Sequence, residues 1–246
     1  MQMTSIIIAN YNGRSVLQDC LHSIRKHTLS PYEIIVVDNG SQDGSTELCV
    51  QEEVRFISLP FNRGFPIACN LGLTIASGDT ILLLNNDTIV TTNWLDNMLQ
   101  CLYSSAEIGI VGPMTNYASG KQQITEAFSS IDDMVSKMNT ANPAKWEEVN
   151  RLVGFCYLFK REVLERVGMM DERFSPGHFE DDDYCYRARQ AGYRLMISGD
   201  VFIYHHGSVS FQKEGDEKVK ELLLQNHQKF IEKWGVDPHS FIENHS

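Results

Sequence analysis

The 246-residue sequence has no Gly-x-Gly triplet, no phosphate-loop lysine and no Cys-x-x-Cys pair. The first two absences exclude the standard dinucleotide and triphosphate cradles, in which glycine-rich turns bring backbone N–H groups against phosphates. The third removes the commonest zinc and thiol–disulfide arrangements. No apolar run approaches the roughly 18 residues of a membrane span; the longest strand-like runs are Ile6-Ile7-Ile8-Ala9 and Ile81-Leu82-Leu83-Leu84. Met1-Gln2-Met3-Thr4-Ser5 lacks a basic leader, so the sequence predicts no secretory signal and a cytoplasmic location, with peripheral contact at the inner face of the membrane left open. Positive charge is also scarce. Lys and Arg total 21 against 32 Asp and Glu, a net −11, and a field of that sign repels phosphate backbones, which argues against nucleic acid as a partner.

The composition that remains is that of a folded globular chain, 42% hydrophobic and 22% charged. Six cysteines spread along it without metal-ligand spacing read as reduced core thiols. Between Thr4 and Gly112, β-branched runs (Ile6 to Ala9, Glu33 to Val37, Val54 to Leu59, Thr80 to Leu84) alternate with helical patterns (Arg14 to His27, Pro66 to Ala76). Such alternation predicts βαβ units, a mostly parallel sheet flanked by helices, and a ligand site at the carboxyl edge of the strands. From Met114 to Asn150 the pattern fails, with only Ile131 to Met138 helical, and this stretch reads as an insertion or an acceptor-side flap. Regularity resumes at Leu152 to Lys160. A helix over Asp181 to Gly192, a strand over Val201 to Tyr204 and a helix over Asp216 to Trp234 follow.

Polar residues gather where strands should end. Asp38 opens the loop Asn39-Gly40-Ser41-Gln42-Asp43-Gly44-Ser45, where a carboxylate can accept from a base imide or a ribose hydroxyl; the plain alternative is an Asx turn that organises the loop. Asp87, in Asn85-Asn86-Asp87, is suited to a hard divalent cation and its phosphates, or equally to capping the next helix. Glu180-Asp181-Asp182-Asp183 sets four acids between Phe179 and Tyr184. Their repulsion can raise one pKa enough for base work, whereas an acidic helix start is favoured by the helix dipole. His205-His206 adds an imidazole ligand type at another strand end.

The order of these motifs resembles that of the family 2 glycosyltransferases. The resemblance runs through Ile6 to Gly13, Val37 to Ser45, Asn62-Arg63-Gly64-Phe65 and Leu84 to Thr88. It continues through Gly154 to Glu162, Val167-Gly168 with Asp171-Glu172, Glu180 to Asp183, Arg187, Ala191-Gly192-Tyr193 and His205 to Ser208. It covers about four fifths of the chain and is nearest to a rhamnosyltransferase-like branch. It implies a GT-A fold in a single domain, with residues 1–112 as the nucleotide-sugar-binding half and 113–246 as the acceptor-binding and catalytic half.

The activity so implied is inverting transfer from a nucleoside-diphosphate sugar, UDP- or dTDP-linked, to a hydroxyl of a glycan, lipid-linked or protein acceptor. Carried over, Ala9, Tyr11, Asp38, Arg63 and Asn86 bind the donor nucleotide. Asp87 and His205, or its neighbour His206, hold Mg²⁺ or Mn²⁺, with Asn85 standing where the family's first acid is usual. Asp181 is the general base and Asp183 a structural residue at the helix start. The alternative keeps the fold as a non-catalytic sugar-nucleotide or glycan-binding module. A nucleotidyltransferase is disfavoured by the missing triphosphate loop.

Overall fold

The computed structural model describes residues 2–207 and 216–242; Ser208, the last residue of the His205 motif, lies outside them. Elements follow in the order β1 (Thr4–Asn10), α1 (Arg14–His27), β2 (Tyr32–Asp38), α2 (Ser45–Gln51), β3 (Arg55–Ser58), α3 (Phe65–Ile75), β4 (Thr80–Asn85), β5 (Thr88–Ile89), α4 (Trp94–Tyr103), β6 (Ile108–Thr115), α5 (Ile131–Met138), β7 (Trp146–Val149), β8 (Cys156–Lys160), α6 (Arg161–Val167), α7 (Glu180–Gln190), β9 (Arg194–His205) and α8 (Asp216–Trp234).

One sheet runs in the order β3-β2-β1-β4-β8-β6-β9-β5, with β7 also paired to β9. β3, β2, β1 and β4 are parallel, as the βαβ pattern requires. Beyond β4 the sheet is mixed, because β8 runs antiparallel to both β4 and β6 while β6 and β9 are parallel. The pleat of β1 sends Ile6 and Ile8 into one core and Ile7 into the other. That explains why the run is continuously apolar: a strand covered on both faces has no solvent side to mark. Leu17, Cys20, Leu21 and Ile24 bury one stripe of α1, at about 1.5–3 kcal/mol for each large side chain. All six cysteines are free and buried, and burial pushes the Cys20 thiol up to about 12.

Pro66 falls in the first turn of α3, where a missing N–H leaves no helical bond unmade. The sequence underestimates β9, a 12-residue strand rather than a short one from Val201. The flap expected over residues 114–150 is also corrected. This stretch carries the end of β6, α5 and β7, and β7 pairs with β9 from Trp146↔Ser198 to Val149↔Leu195. Buried Asn139, after α5, donates to the Thr91 hydroxyl and the Thr92 carbonyl and accepts from the Phe202 N–H. One amide thus satisfies three groups on two other segments, which the turn-rich composition did not reveal. A third, smaller core joins Phe174 and Phe179 to Phe230 of α8. No helix among the described residues is long and apolar enough to cross a membrane.

Candidate active site

Parallel register brings the ends of β1, β2 and β4 level, with Asn10 opposite Asp38 and Ala9 opposite Asn85. Their side chains join across the sheet edge: the Asn86 amide donates to Asn10 Oδ1 at 2.7 Å, and Asn10 Nδ2 donates to Asp38 Oδ1 at 3.1 Å. The relay passes beneath Gly13, where a Cβ would lie 2.4 Å from Asn86 Nδ2. Only glycine leaves that amide in place. A cavity of about 570 Å³ opens above this edge.

Of the residues expected at the donor, Ala9, Tyr11 and Asn86 line the cavity. Asp38 and Arg63 are not part of its lining. Asp38 is buried and accepts from Ser41 N–H and the Thr46 hydroxyl as well as from Asn10, so it shapes the loop in the manner of the Asx-turn alternative. Arg63 is exposed, its backbone N–H bonded to Asn39 Oδ1; Asn39 and Asn62, neither singled out from the sequence, line the cavity instead.

Asp87 and His205 meet although they are 118 positions apart in sequence. β5 pairs Thr88 with His205, and the Asp87 carbonyl accepts from His206 N–H. His205 Nε2 consequently lies 3.1 Å from Asp87 Oδ1, both side chains buried. His206 is exposed and packs on Tyr204. His205 Nδ1 is 2.9 Å from the Tyr117 carbonyl, which can only accept, so Nδ1 carries a proton. Nε2 faces the Asp87 carboxylate and lies 3.5 Å from Asn85 Nδ2, and a divalent cation between the ring nitrogen and the carboxylate would be held by both. Phe155 stacks on the ring at 5.2 Å and holds its plane. The two side chains would fit Mg²⁺ or Mn²⁺ if phosphate oxygens completed the shell.

The four acids form the buried first turn of α7. His178 and Phe179, immediately before it, both have positive φ, at 72° and 68°, a cost that persists only where neighbours enforce it. Asn226 of α8 supplies the enforcement, its buried amide donating to the carbonyls of Phe174 and Gly177.

Each acid then has its own surroundings. Asp181 lines the cavity, with Oδ2 accepting from Gly154 N–H and Oδ1 from Asp182 N–H, both at 2.9 Å. A Cβ on residue 154 would sit 3.1 Å from Asp181 Cβ, so glycine allows that close approach. Asp182 pairs with the Arg151 guanidinium. Burial pushes the Asp182 carboxyl up to about 7 against the pull of Arg151 and with the push of Asp181. Burial, with the charges of Asp181 and Asp182, drives Glu180 well above the usual carboxylate range, and its Oε2 has no hydrogen-bond partner among the described residues. Glu180 also lines the cavity. Asp183 faces away, accepting from Arg187 at 2.7 Å, Lys233 at 2.5 Å and Trp234 at 2.8 Å.

Arg151, Tyr117 and the α8 residues escaped the sequence reading. A lone arginine 31 positions before its partner has no spacing signal, and a main-chain carbonyl has none at all.

Residues 5–168 match the family model described as Glycosyl transferase family 2. Glycosyltransferase AglE of Haloferax volcanii is 28% identical over 214 residues, 83% of this chain and 67% of that protein. The poly-beta-1,6-N-acetyl-D-glucosamine synthase of Staphylococcus epidermidis is 28% identical over 176 residues, 68% of this chain and 42% of the synthase. Among solved structures, mannosyltransferase PcManGT from Pyrobaculum calidifontis, in complex with GDP-Man and Mn²⁺, superposes with a TM-score of 0.62 at 21% identity, over 82% of this chain and 56% of that one. The chain spans less than two thirds of the synthase and of the mannosyltransferase.

Proposed function

Because the chain belongs to glycosyl transferase family 2 and has the GT-A fold, we propose that it moves a sugar, with inversion, from a nucleoside-diphosphate sugar to an acceptor hydroxyl. The observation that carries this reading is the convergence of the Asp87–His205 pair and the Asp181 carboxylate on one cavity at the carboxyl edge of the sheet. Asp181 takes the proton of the acceptor hydroxyl, whose oxygen forms the new bond to the anomeric carbon as the bond to the diphosphate oxygen breaks on the opposite face. Its two backbone hydrogen bonds fix the carboxylate plane while leaving further lone pairs for that proton. Asp87 and His205 would hold the divalent ion, which neutralises charge growing on the leaving diphosphate.

Asn86, Ala9 and Tyr11 border the donor. Asp38 acts on it through Asn10 and the Ser41 loop, and exposed Arg63, next to Asn62, approaches the pyrophosphate when donor is bound. The acceptor is a glycan, lipid-linked or protein hydroxyl, met by residues of the half beyond residue 113. The test is release of free nucleoside diphosphate with Mn²⁺ or Mg²⁺, measured across a donor panel. The panel starts with UDP- and dTDP-linked hexoses and deoxyhexoses, rhamnose among them, and includes GDP-mannose, the donor bound in the Pyrobaculum structure. Binding without release for every donor and acceptor would replace catalysis with a binding module.

A further inference from the structure

We propose that His227, Asp237 and His239 form a second metal site that takes Zn²⁺ or another imidazole-preferring divalent ion. Among the described residues this is the group of three such side chains whose donor atoms all lie within 4.8 Å of one another. Asp237 Oδ1 is 2.9 Å from His227 Nε2 and 3.4 Å from His239 Nδ1. In a tetrahedral shell with ligands at about 2.0–2.1 Å, donor atoms are about 3.3 Å apart, so the two observed spacings bracket the required one. An incoming ion replaces the protons that the rings share with the carboxylate, and the stacked rings turn so that each in-plane nitrogen lone pair meets it.

The backbone around the three residues is already organised. His227 projects from α8, while Asp237 caps the short 3₁₀ turn Pro238–Phe241 by accepting from His239 N–H. The two imidazoles stack at 4.6 Å, and each lies against Phe179, at 5.7 and 6.0 Å. Their side chains are 24% and 58% exposed and that of Asp237 54%, which leaves an entry path and room for water as a fourth ligand. Two nitrogens and one carboxylate favour Zn²⁺, Co²⁺ or Ni²⁺ over Mg²⁺ and Mn²⁺, which prefer oxygen. The second imidazole makes this set softer than the Asp87–His205 pair, which offers one nitrogen and one carboxylate.

Pro238, His239 and Ile242 also line the 570 Å³ cavity. An ion at this site ties the final turn to α8 and fixes that wall of the cavity.

The experiment is calorimetric titration of Zn²⁺ into the histidine-tag-free chain, with excess Mg²⁺ present to fill oxygen-rich sites. One equivalent is expected in the parent and in Asp87→Ala, with affinity at least tenfold weaker in His239→Ala and in Asp237→Asn. Zn²⁺ should raise the melting midpoint of the parent and leave that of His239→Ala unchanged. No Zn²⁺ uptake by the parent, parental affinity in both variants, or loss in Asp87→Ala alone would overturn the site. Because the two variants alter exposed side chains, either suffices if the other folds poorly.

Discussion

His205 Nε2 lies 3.1 Å from Asp87 Oδ1, held there by the pairing of β5 with β9. Replacing either partner removes one of two protein ligands from the proposed ion site. Asp87→Ala and His205→Ala should each abolish the Mn²⁺-dependent gain in nucleoside diphosphate affinity, while binding without metal persists. Calorimetry with and without Mn²⁺ reads this directly, and an undiminished gain in both variants would remove the pair from the metal site.

The acids of α7 should separate by function. Asp181→Asn keeps shape and loses basicity, so donor binding survives while transfer falls by about 10²–10⁴-fold. Asp182→Asn leaves the buried Arg151 charge with a neutral partner and should cost about 1–3 kcal/mol of stability with a smaller effect on transfer. Single-turnover rates at saturating donor decide the matter; normal transfer in Asp181→Asn beside collapse in Asp182→Asn would shift the base by one residue.

Asp183 gathers Arg187, Lys233 and Trp234 around a fully buried carboxylate. Asp183→Asn should therefore destabilise by about 3–5 kcal/mol, as expected when one member of a buried ion cluster is removed. The loss exceeds what a helix cap alone contributes, about 0.5–2 kcal/mol. Urea unfolding would show it; a change below about 1 kcal/mol would contradict the cluster's importance.

Glu33 offers a test away from the cavity. Burial tends to raise its pKa, but hydrogen bonds from Ser5, Ser77 and Arg55 outweigh that and hold it at about 2, below its ordinary 4.5. A depressed carboxyl stabilises the fold above its unfolded pKa, and the contribution disappears as pH falls from about 4.5 towards 2. Glu33→Gln should cost on the order of 1–2 kcal/mol at pH 7, allowing for solvent screening, and the difference from the parent should shrink steadily through that acid range. Melting curves of both proteins at matched pH provide the comparison; a constant gap would refute the linkage.

How far the sequence alone reached depended on whether a signal was local. The βαβ half was legible because strand, turn and helix patterns each lie within a short window, and Asp87, Asp181 and His205 fall in recognisable runs. Arg151 was not legible, since its meaning depends on Asp182, which only folding brings near. The length of β9 was hidden by Ser198-Gly199-Asp200, which reads as a turn, yet Ser198 pairs with Trp146 and buried Asp200 accepts from the Trp146 indole. Asp38 shows the reverse case: the residue type was conspicuous, but its carboxylate is occupied by the loop it organises.

The clasp of Asn226 on the loop before α7 has a consequence for how this molecule is divided. The matched family region ends at residue 168, yet Asp181, the loop that presents it and the helix that grips the loop all follow. A fragment trimmed to that region would retain the sheet edge and Asp87 but lack both Asp181 and His205. A cut between the acids and Asn226 would separate a strained loop from its restraint, and a cut at the end of the matched region would part Asp181 from Gly154 and Asp182 from Arg151.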